Sequence, residues 1–265
     1  MRLFLLGALL LIVGVVTPAP AARADFTPGI SPPGANDWSC RPTALHPYPV
    51  VLVHGTFGDM TVSWNLISPV LKADGYCVFA LDYGNRATGR IEDSAAELSA
   101  FVQQVLAATG APRVSMVGHS QGGMMPRYYI KFLGGKQYVA DLIGLVTSNY
   151  GTTNPFAAPA GTLGCTACDE QIAGSAFLTN LNAGDETPGS VSYTVVTTTH
   201  DEVVTPYLSA YLAAGPKTTN ITIQDRCPLD PVDHLGIIYD LVAVQWIENA
   251  LARTGPADPS FAPIC

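Results

Sequence analysis

Ser120 stands between Gly118 and Gly122 in the run Val114-Ser115-Met116-Val117-Gly118-His119-Ser120-Gln121-Gly122-Gly123. A Gly-x-Ser-x-Gly pentapeptide occurs by chance in many chains, so its surroundings decide what it means. Here Arg113–Val117 reads as an apolar, β-branched strand, and Met124–Leu133 as a helix stopped by Gly134-Gly135. A sharp strand-to-helix turn forces its central residue into strained backbone angles and lifts the hydroxyl clear of the sheet. The flanking glycines permit the close approach that such a turn needs. The chemistry this suits is nucleophilic attack by the Ser120 hydroxyl, in preference to simple helix capping.

A serine hydroxyl is a poor nucleophile near neutral pH and needs a base, normally a His held in one tautomer by a carboxylate. After a turn of this kind the acid and then the His follow in chain order. Only His200 and His234 lie beyond Ser120. His200 directly adjoins Asp201, which leaves it poorly placed to pair with that carboxylate. His234 follows the last predicted strand and precedes a helix, at the loop edge that also carries Ser120. It is the expected base, the alternative being a surface histidine that caps the helix. Asp201 closes the predicted strand Ser192–Thr199 and is the expected acid. Asp185, Glu202, Asp225, Asp230 and Asp233 compete for that role, although Asp233 adjoins His234 and would point elsewhere.

Attack on an ester creates an oxyanion, toward which backbone N–H groups must already point. One donor follows from the turn itself: the amide of Gln121, at a helix N-terminus whose dipole favours negative charge. The second is expected from His54-Gly55-Thr56-Phe57-Gly58, with Thr56 the candidate. His54 is read as orienting that loop rather than as a catalytic group.

The elements that must position these groups alternate along the chain. Strands are predicted at Val50–Val53, Tyr76–Leu81, Arg113–Val117, Leu142–Val146, Ser192–Thr198 and Asn220–Gln224. Helices are predicted at Trp64–Lys72, from Ile91 to Ala108, after Ser120, and from about Leu235 to Leu251. Continuous apolar strands of this kind belong to a sheet covered on both faces, so the class is α/β. Pro126 falls inside the helix after Ser120 and predicts a kink or restart. Residues 150–190 show little periodicity, and so long an irregular stretch is expected to act as a cap over the site. Within it, Phe156, Leu163, Phe177 and Leu178 either line an acyl groove or pack a small satellite core.

Residues 1–24 read as a secretory signal. Arg2 supplies a positive start, Leu3 to Val16 is apolar, and Ala22-Arg23-Ala24 offers small residues for cleavage. The apolar stretch is shorter than the roughly 20 residues a bilayer span needs. Residues 25–265 then suit one α/β domain. Without Arg2 and Arg23, 11 basic residues face 21 acidic ones, a net charge of −10. The basic residues are scattered, which argues against nucleic acid or an anionic membrane surface as principal partner. All six cysteines fall in the exported part, where disulfides are the default. Fifteen pairings are possible and sequence alone does not choose among them. Position favours Cys40 with Cys77 at the amino end of the sheet, a local Cys165–Cys168 loop, and Cys227 with Cys265.

Taken together, Val53-His54-Gly55-Thr56, the Ser120 run, Asp201-Glu202-Val203-Val204-Thr205-Pro206 and Asp233-His234-Leu235 resemble the secreted bacterial triacylglycerol lipases and esterases of the α/β-hydrolase superfamily. The layout is also similar to lipase B-type yeast enzymes, including their three cysteine pairs. One departure is His119 before the serine, where the yeast enzyme has Trp. The resemblance implies an α/β-hydrolase fold with a mostly parallel sheet of about six strands. It also implies carboxylic-ester hydrolysis through an acyl-enzyme, with Ser120, Asp201 and His234 as triad and Thr56 and Gln121 as oxyanion donors. Thr56 would add its hydroxyl. No cofactor and no metal are expected, since the spacing of Asp225, Asp230 and Asp233 is not a calcium loop. The expected partner is a small-molecule or lipid ester, met by a monomer at a transient lipid–water interface. Acyl transfer on the same scaffold and a non-catalytic secreted binding protein are the alternatives.

Overall fold

The computed structural model describes residues 29–155 and 164–265. The segment expected to act as a secretory signal and the groove candidates Phe156 and Leu163 therefore lie outside the described residues. Six strands form one sheet: β1 (Val50–Val53), β2 (Val78–Leu81), β3 (Val114–His119), β4 (Val139–Leu145), β5 (Ser192–Thr197) and β6 (Thr218–Thr222). Their spatial order is β2-β1-β3-β4-β5-β6, and every pairing is parallel. The chain steps outward from β1 to β2 and then crosses back to β3 on the other side of β1. Loops leaving β1 and β3 thus diverge, and in open α/β sheets a crevice forms at such a reversal.

Seven right-handed α-helices accompany the sheet among the described residues: α1 (Met60–Ser63), α2 (Ile67–Ala73), α3 (Ile91–Thr109), α4 (Gln121–Phe132), α5 (Thr166–Glu170), α6 (Ala176–Asn182) and α7 (Leu241–Leu251). The stripe Ile91, Ala95, Leu98, Val102 and Val105 on α3 is fully buried, as its helical spacing predicts. Glu92 and Asp93 favour the start of α3, and Gly110 ends it in a left-handed conformation at φ 72°. Two hydrophobic layers result. One joins α3 and α4 to Val51, Phe79 and Met116, and the other joins α7 to Leu52, Val117 and Val196. Phe177 and Leu178 belong to the first layer, so they pack the main core rather than a satellite one.

Several boundaries depart from the expected ones, each for a local reason. The helix expected over Trp64–Lys72 starts only at Ile67, as α2, after a turn at 64–66; the separate short helix α1 precedes it, capped by Asp59, whose carboxylate accepts from Val62 N. The helix expected from Leu235 is a 3₁₀ turn at Gly236–Tyr239 followed by α7, which Asp240 caps through Ala243 N. Strand β6 lies earlier than Asn220–Gln224, because Ile223–Asp225 turns into a 3₁₀ helix. Helix α4 begins at Gln121 and runs through Pro126 without the expected restart. A proline removes one ladder bond; here the fully buried Met124, Met125, Tyr129 and Ile130 hold both halves in the core.

The three cysteine pairs are Cys40–Cys77, Cys165–Cys168 and Cys227–Cys265. Among the described residues no helix is long and apolar enough to cross a membrane.

Behind the Ser120 turn lies a buried charge. Arg127 on α4 is 1% exposed; it donates to Asn149 Oδ1 (3.3 Å) and Asn182 Oδ1 (2.8 Å) and pairs with Glu186 at 3.8 Å. Tyr150 donates its hydroxyl to the same carboxylate. This cluster ties α4 to residues 149–150 and 182–186. Glu186→Ala leaves the guanidinium buried and unpaired, and should cost about 3–5 kcal/mol of unfolding free energy. Urea unfolding would measure this, and a loss below about 1 kcal/mol would show that the pair does not hold these segments together.

Candidate active site

Ser120 occupies φ 54°, ψ −123°, a conformation sparsely populated by non-glycine residues. Such backbone strain costs about 1–3 kcal/mol and persists only where the surroundings over-determine it. Two constraints do so here. Ser120 N donates to Leu145 O at 2.8 Å, and Gly123 N donates back to Ser120 O at 3.0 Å. The flanking glycines are sterically required, since a Cβ at Gly118 would lie 1.9 Å from Gly122 O and one at Gly122 would lie 2.1 Å from Val53 O. Ser120 Oγ makes no hydrogen bond among the described residues. It faces the cleft that His234 also lines.

His234 and Asp201 do meet. His234 Nδ1 donates to Asp201 Oδ1 at 2.9 Å, with both residues buried. That assignment leaves Nε2 as the imidazole nitrogen able to accept a proton. Asp201 lies four residues beyond the end of β5, because the strand stops at Thr197, short of the expected Thr199. Two amides hold its carboxylate, Val203 N at 3.0 Å and Val204 N at 2.8 Å. His200 and Asp233 form an isolated parallel β-bridge that sets the two loops side by side, one residue short of the pair. The competing acids do other work. Asp233 accepts from Gly236 N, Asp230 from Val232 N, Asp185 from Thr187 N, and Glu202 lies 3.5 Å from His234 N.

His119, the residue that differs from the yeast pattern, holds His234 from behind. Its Nε2 donates to His234 O at 2.8 Å, and the rings lie 5.0 Å apart. Burial pushes His119 down to about 3, with the neighbouring His234 adding to the effect, so the ring stays neutral.

The loop after β1 is braced on every side. His54 Nδ1 donates to Gly55 O at 2.8 Å and Gly58 N to the same oxygen at 3.0 Å, the orienting role expected of that histidine. Tyr83 donates its hydroxyl to His54 O at 2.6 Å. Phe57, at φ 62°, donates its N–H to Arg86 O (2.8 Å) and accepts from the Arg86 guanidinium at its own carbonyl. Residues 84–87 all have positive φ, a single left-handed turn that presents Arg86 to this loop. Thr56 N–H finds no acceptor among the described residues, and Gln121 N–H is the first helical amide, outside the helix ladder. Both are available to an oxygen in the cleft.

The cleft encloses about 350 Å³, its floor formed by Ser120, His119 and His234. Thr152, Asn154, Cys168 and Gln171, from the segment expected to act as a cap, form one wall. Phe57, Val203 and Leu235 expose apolar surface at the rim (56%, 39% and 65% exposed). A cavity of similar size, about 370 Å³, opens at the amino edge of the sheet around Asp141 and Arg113 and holds none of these groups. No cluster of three or more metal-ligating side chains occurs among the described residues. Gln171, Ser148 and Arg86 went unnoticed in the sequence. They lie in irregular or turn segments with no motif, and only tertiary contact reveals them.

Comparison with known proteins fits this geometry. Residues 47–247 match the family model described as Lipase (class 2). A triacylglycerol lipase of Pseudarthrobacter phenanthrenivorans is 39% identical over 87 residues, 31% of this chain and 27% of that protein. One of Vibrio cholerae is 37% identical over 105 residues, 38% of this chain and 31% of that protein. The match thus spans under a third of the length of these curated relatives. Lipase B of Aspergillus fumigatus superposes with a TM-score of 0.72 at 20% identity, covering 92% of this chain and 64% of that one. Mature Bacillus licheniformis lipase BlEst2 gives 0.63 at 20% identity, covering 80% and 94%. At these identities the likeness establishes the α/β-hydrolase fold.

The buried histidines predict an acid-sensitive fold. Because the folded state depresses His119 below its ordinary 6.5, its contribution to stability is complete above that pH. It is lost as pH falls toward 3, where the unfolded chain binds the proton more readily. His54, also pushed down by burial, acts in the same direction. In His119→Leu, urea-unfolding free energies should decline less steeply between pH 6.5 and 3 than in the wild type; equal slopes would show that His119 is not the group responsible.

Proposed function

The chain belongs to the class 2 lipase family, and we propose that it is a secreted serine hydrolase of carboxylic esters, acting on acylglycerols or related lipid esters. The observation that carries this reading is the buried Asp201–His234 pair opening on the same cleft as the strained Ser120. In the proposed reaction, Ser120 Oγ attacks the ester carbonyl carbon while His234 Nε2 takes the hydroxyl proton. Asp201 stabilises the imidazolium and fixes its tautomer. The carbonyl oxygen gains the negative charge and is met by Thr56 N–H and Gln121 N–H. As the carbon–oxygen bond to the alcohol breaks, His234 returns the proton to the leaving oxygen. Water then repeats the attack on the acyl-enzyme, its proton passing to His234 and on to Ser120 as the acid departs. The hydrogen bond between the Ser120 hydroxyl and the His234 imidazole is expected to form as substrate arrives, as catalytic hydrogen bonds often tighten on binding.

A lipid substrate is supported by the apolar rim of Phe57, Val203 and Leu235, which suits transient contact with a lipid–water interface. Secretion is supported by the three disulfides together with the apolar leader sequence.

Aryl esters from acetyl to palmitoyl, assayed with the purified protein, test the reading and map chain-length preference. Ser120→Ala and Asp201→Asn should each lower kcat by about 10⁴-fold or more, with thermal midpoints close to the wild type. Full ester cleavage by Ser120→Ala would end the proposal.

A further inference from the structure

Gln171 follows α5, 8% exposed, and lines the same cleft as Ser120. Its amide touches three groups: Ala167 O at 3.0 Å, Thr56 Oγ1 at 3.0 Å and Ser148 Oγ at 2.7 Å. Their chemistry fixes which end of the amide is which. A backbone carbonyl can only accept, so the Gln171 atom beside Ala167 O must be the NH₂ group. Its second hydrogen points to Thr56, and the oxygen end must then accept from the Ser148 hydroxyl.

That direction determines where the Thr56 proton goes. A hydroxyl carries one hydrogen, and Thr56 Oγ1 already receives one from Gln171, so its own proton has to leave on another side. The acceptor it has among the described residues is Gln121 Oε1 at 3.4 Å, at the outer limit of a hydrogen bond. A nearer anionic oxygen in the cleft would outcompete it. The seat of Gln171 is fixed as well. The Cys165–Cys168 disulfide staples the first turn of the helix that precedes it, Ala167 N donates to Thr88 O at 3.1 Å, and Glu170 accepts from Ile91 N at 2.7 Å.

We propose that Gln171, itself set by Ser148, is a positioning residue that directs the Thr56 hydroxyl into the cleft as a third donor to the developing oxyanion. This rests on the reading of the cleft as an ester-hydrolase site. It also assigns a task to the segment after β4, whose sequence carries no catalytic motif.

A double-mutant cycle tests it. Thr56→Val removes the hydroxyl at nearly constant shape and should lower kcat about 10²-fold. Gln171→Met keeps side-chain volume but removes the donor; it should lower kcat about tenfold or more while KM for a short-chain aryl ester stays within about threefold. The double variant should be no slower than Thr56→Val alone, because Gln171 acts only through that hydroxyl. Ser148→Ala should show the same dependence on Thr56 with a smaller drop, and it serves if Gln171→Met folds poorly. Titration with a phosphonate that esterifies Ser120 expresses each kcat per competent site. If Gln171→Met leaves kcat unchanged, or slows the Thr56→Val protein by its full single-variant factor, the positioning role is wrong although hydrolysis stands. A wild-type protein that cleaves no ester overturns both readings.

Discussion

All six strands run in one direction, and that constraint governs where chemistry can occur in this molecule. Parallel strands send every loop from their carboxyl ends to the same edge, so the segments after β1, β3, β4 and β5 have no choice but to meet there. Thr56, Ser120, Ser148 and Asp201 arrive from four different strands on this account alone. The reversal of strand order between β1 and β3 then opens a crevice between the Thr56 loop and the Ser120 turn. His234 comes from beyond β6, and the bridge between His200 and Asp233 draws it across to Asp201.

Holding this edge in place means tolerating backbone strain. Phe57, Ser120, Val146 and residues 84–87 all have positive φ. Strained residues survive where hydrogen bonds and packing leave no alternative, and here they cluster around the cleft. The left-handed turn at 84–87 brings Arg86 against both the N–H and the carbonyl of Phe57, so the Thr56 amide next to it stays aimed and unengaged. The same stretch continues to Thr88 and Ile91, which anchor α5 and with it Gln171. One short run of chain thereby supports the Thr56 loop from two directions.

The polar groups below the cleft follow the same logic. His54 and His119 are buried and held neutral, each donating to a backbone carbonyl, of Gly55 and His234 respectively. Neutral buried rings fix a loop without placing another charge beside Ser120, and the site is stiff because its supports are hydrogen-bonded and desolvated. Farther back, the Arg127–Glu186 pair clamps α4 to the segment after β4. The helix that begins at Gln121 is thus fixed at both its start and its middle.

Local sequence determined the α/β class, the strands, the buried face of α3 and the strained turn at Ser120, because hydrophobic period and glycine placement act over a few residues. It also marked Asp201 and His234, whose order after the serine and position on loops follow from the same alternation. Tertiary structure decided what local pattern cannot reach. Pro126 stays within a continuous helix because the core grips both sides of it, and Phe177 and Leu178 turn inward because a hydrophobic layer was there to receive them. Gln171 shows the limit most clearly. A glutamine in an irregular stretch has no periodicity or motif to mark it. Its donors and acceptors acquire direction only when Ala167, Ser148 and Thr56, brought together by the fold, leave its amide a single consistent orientation.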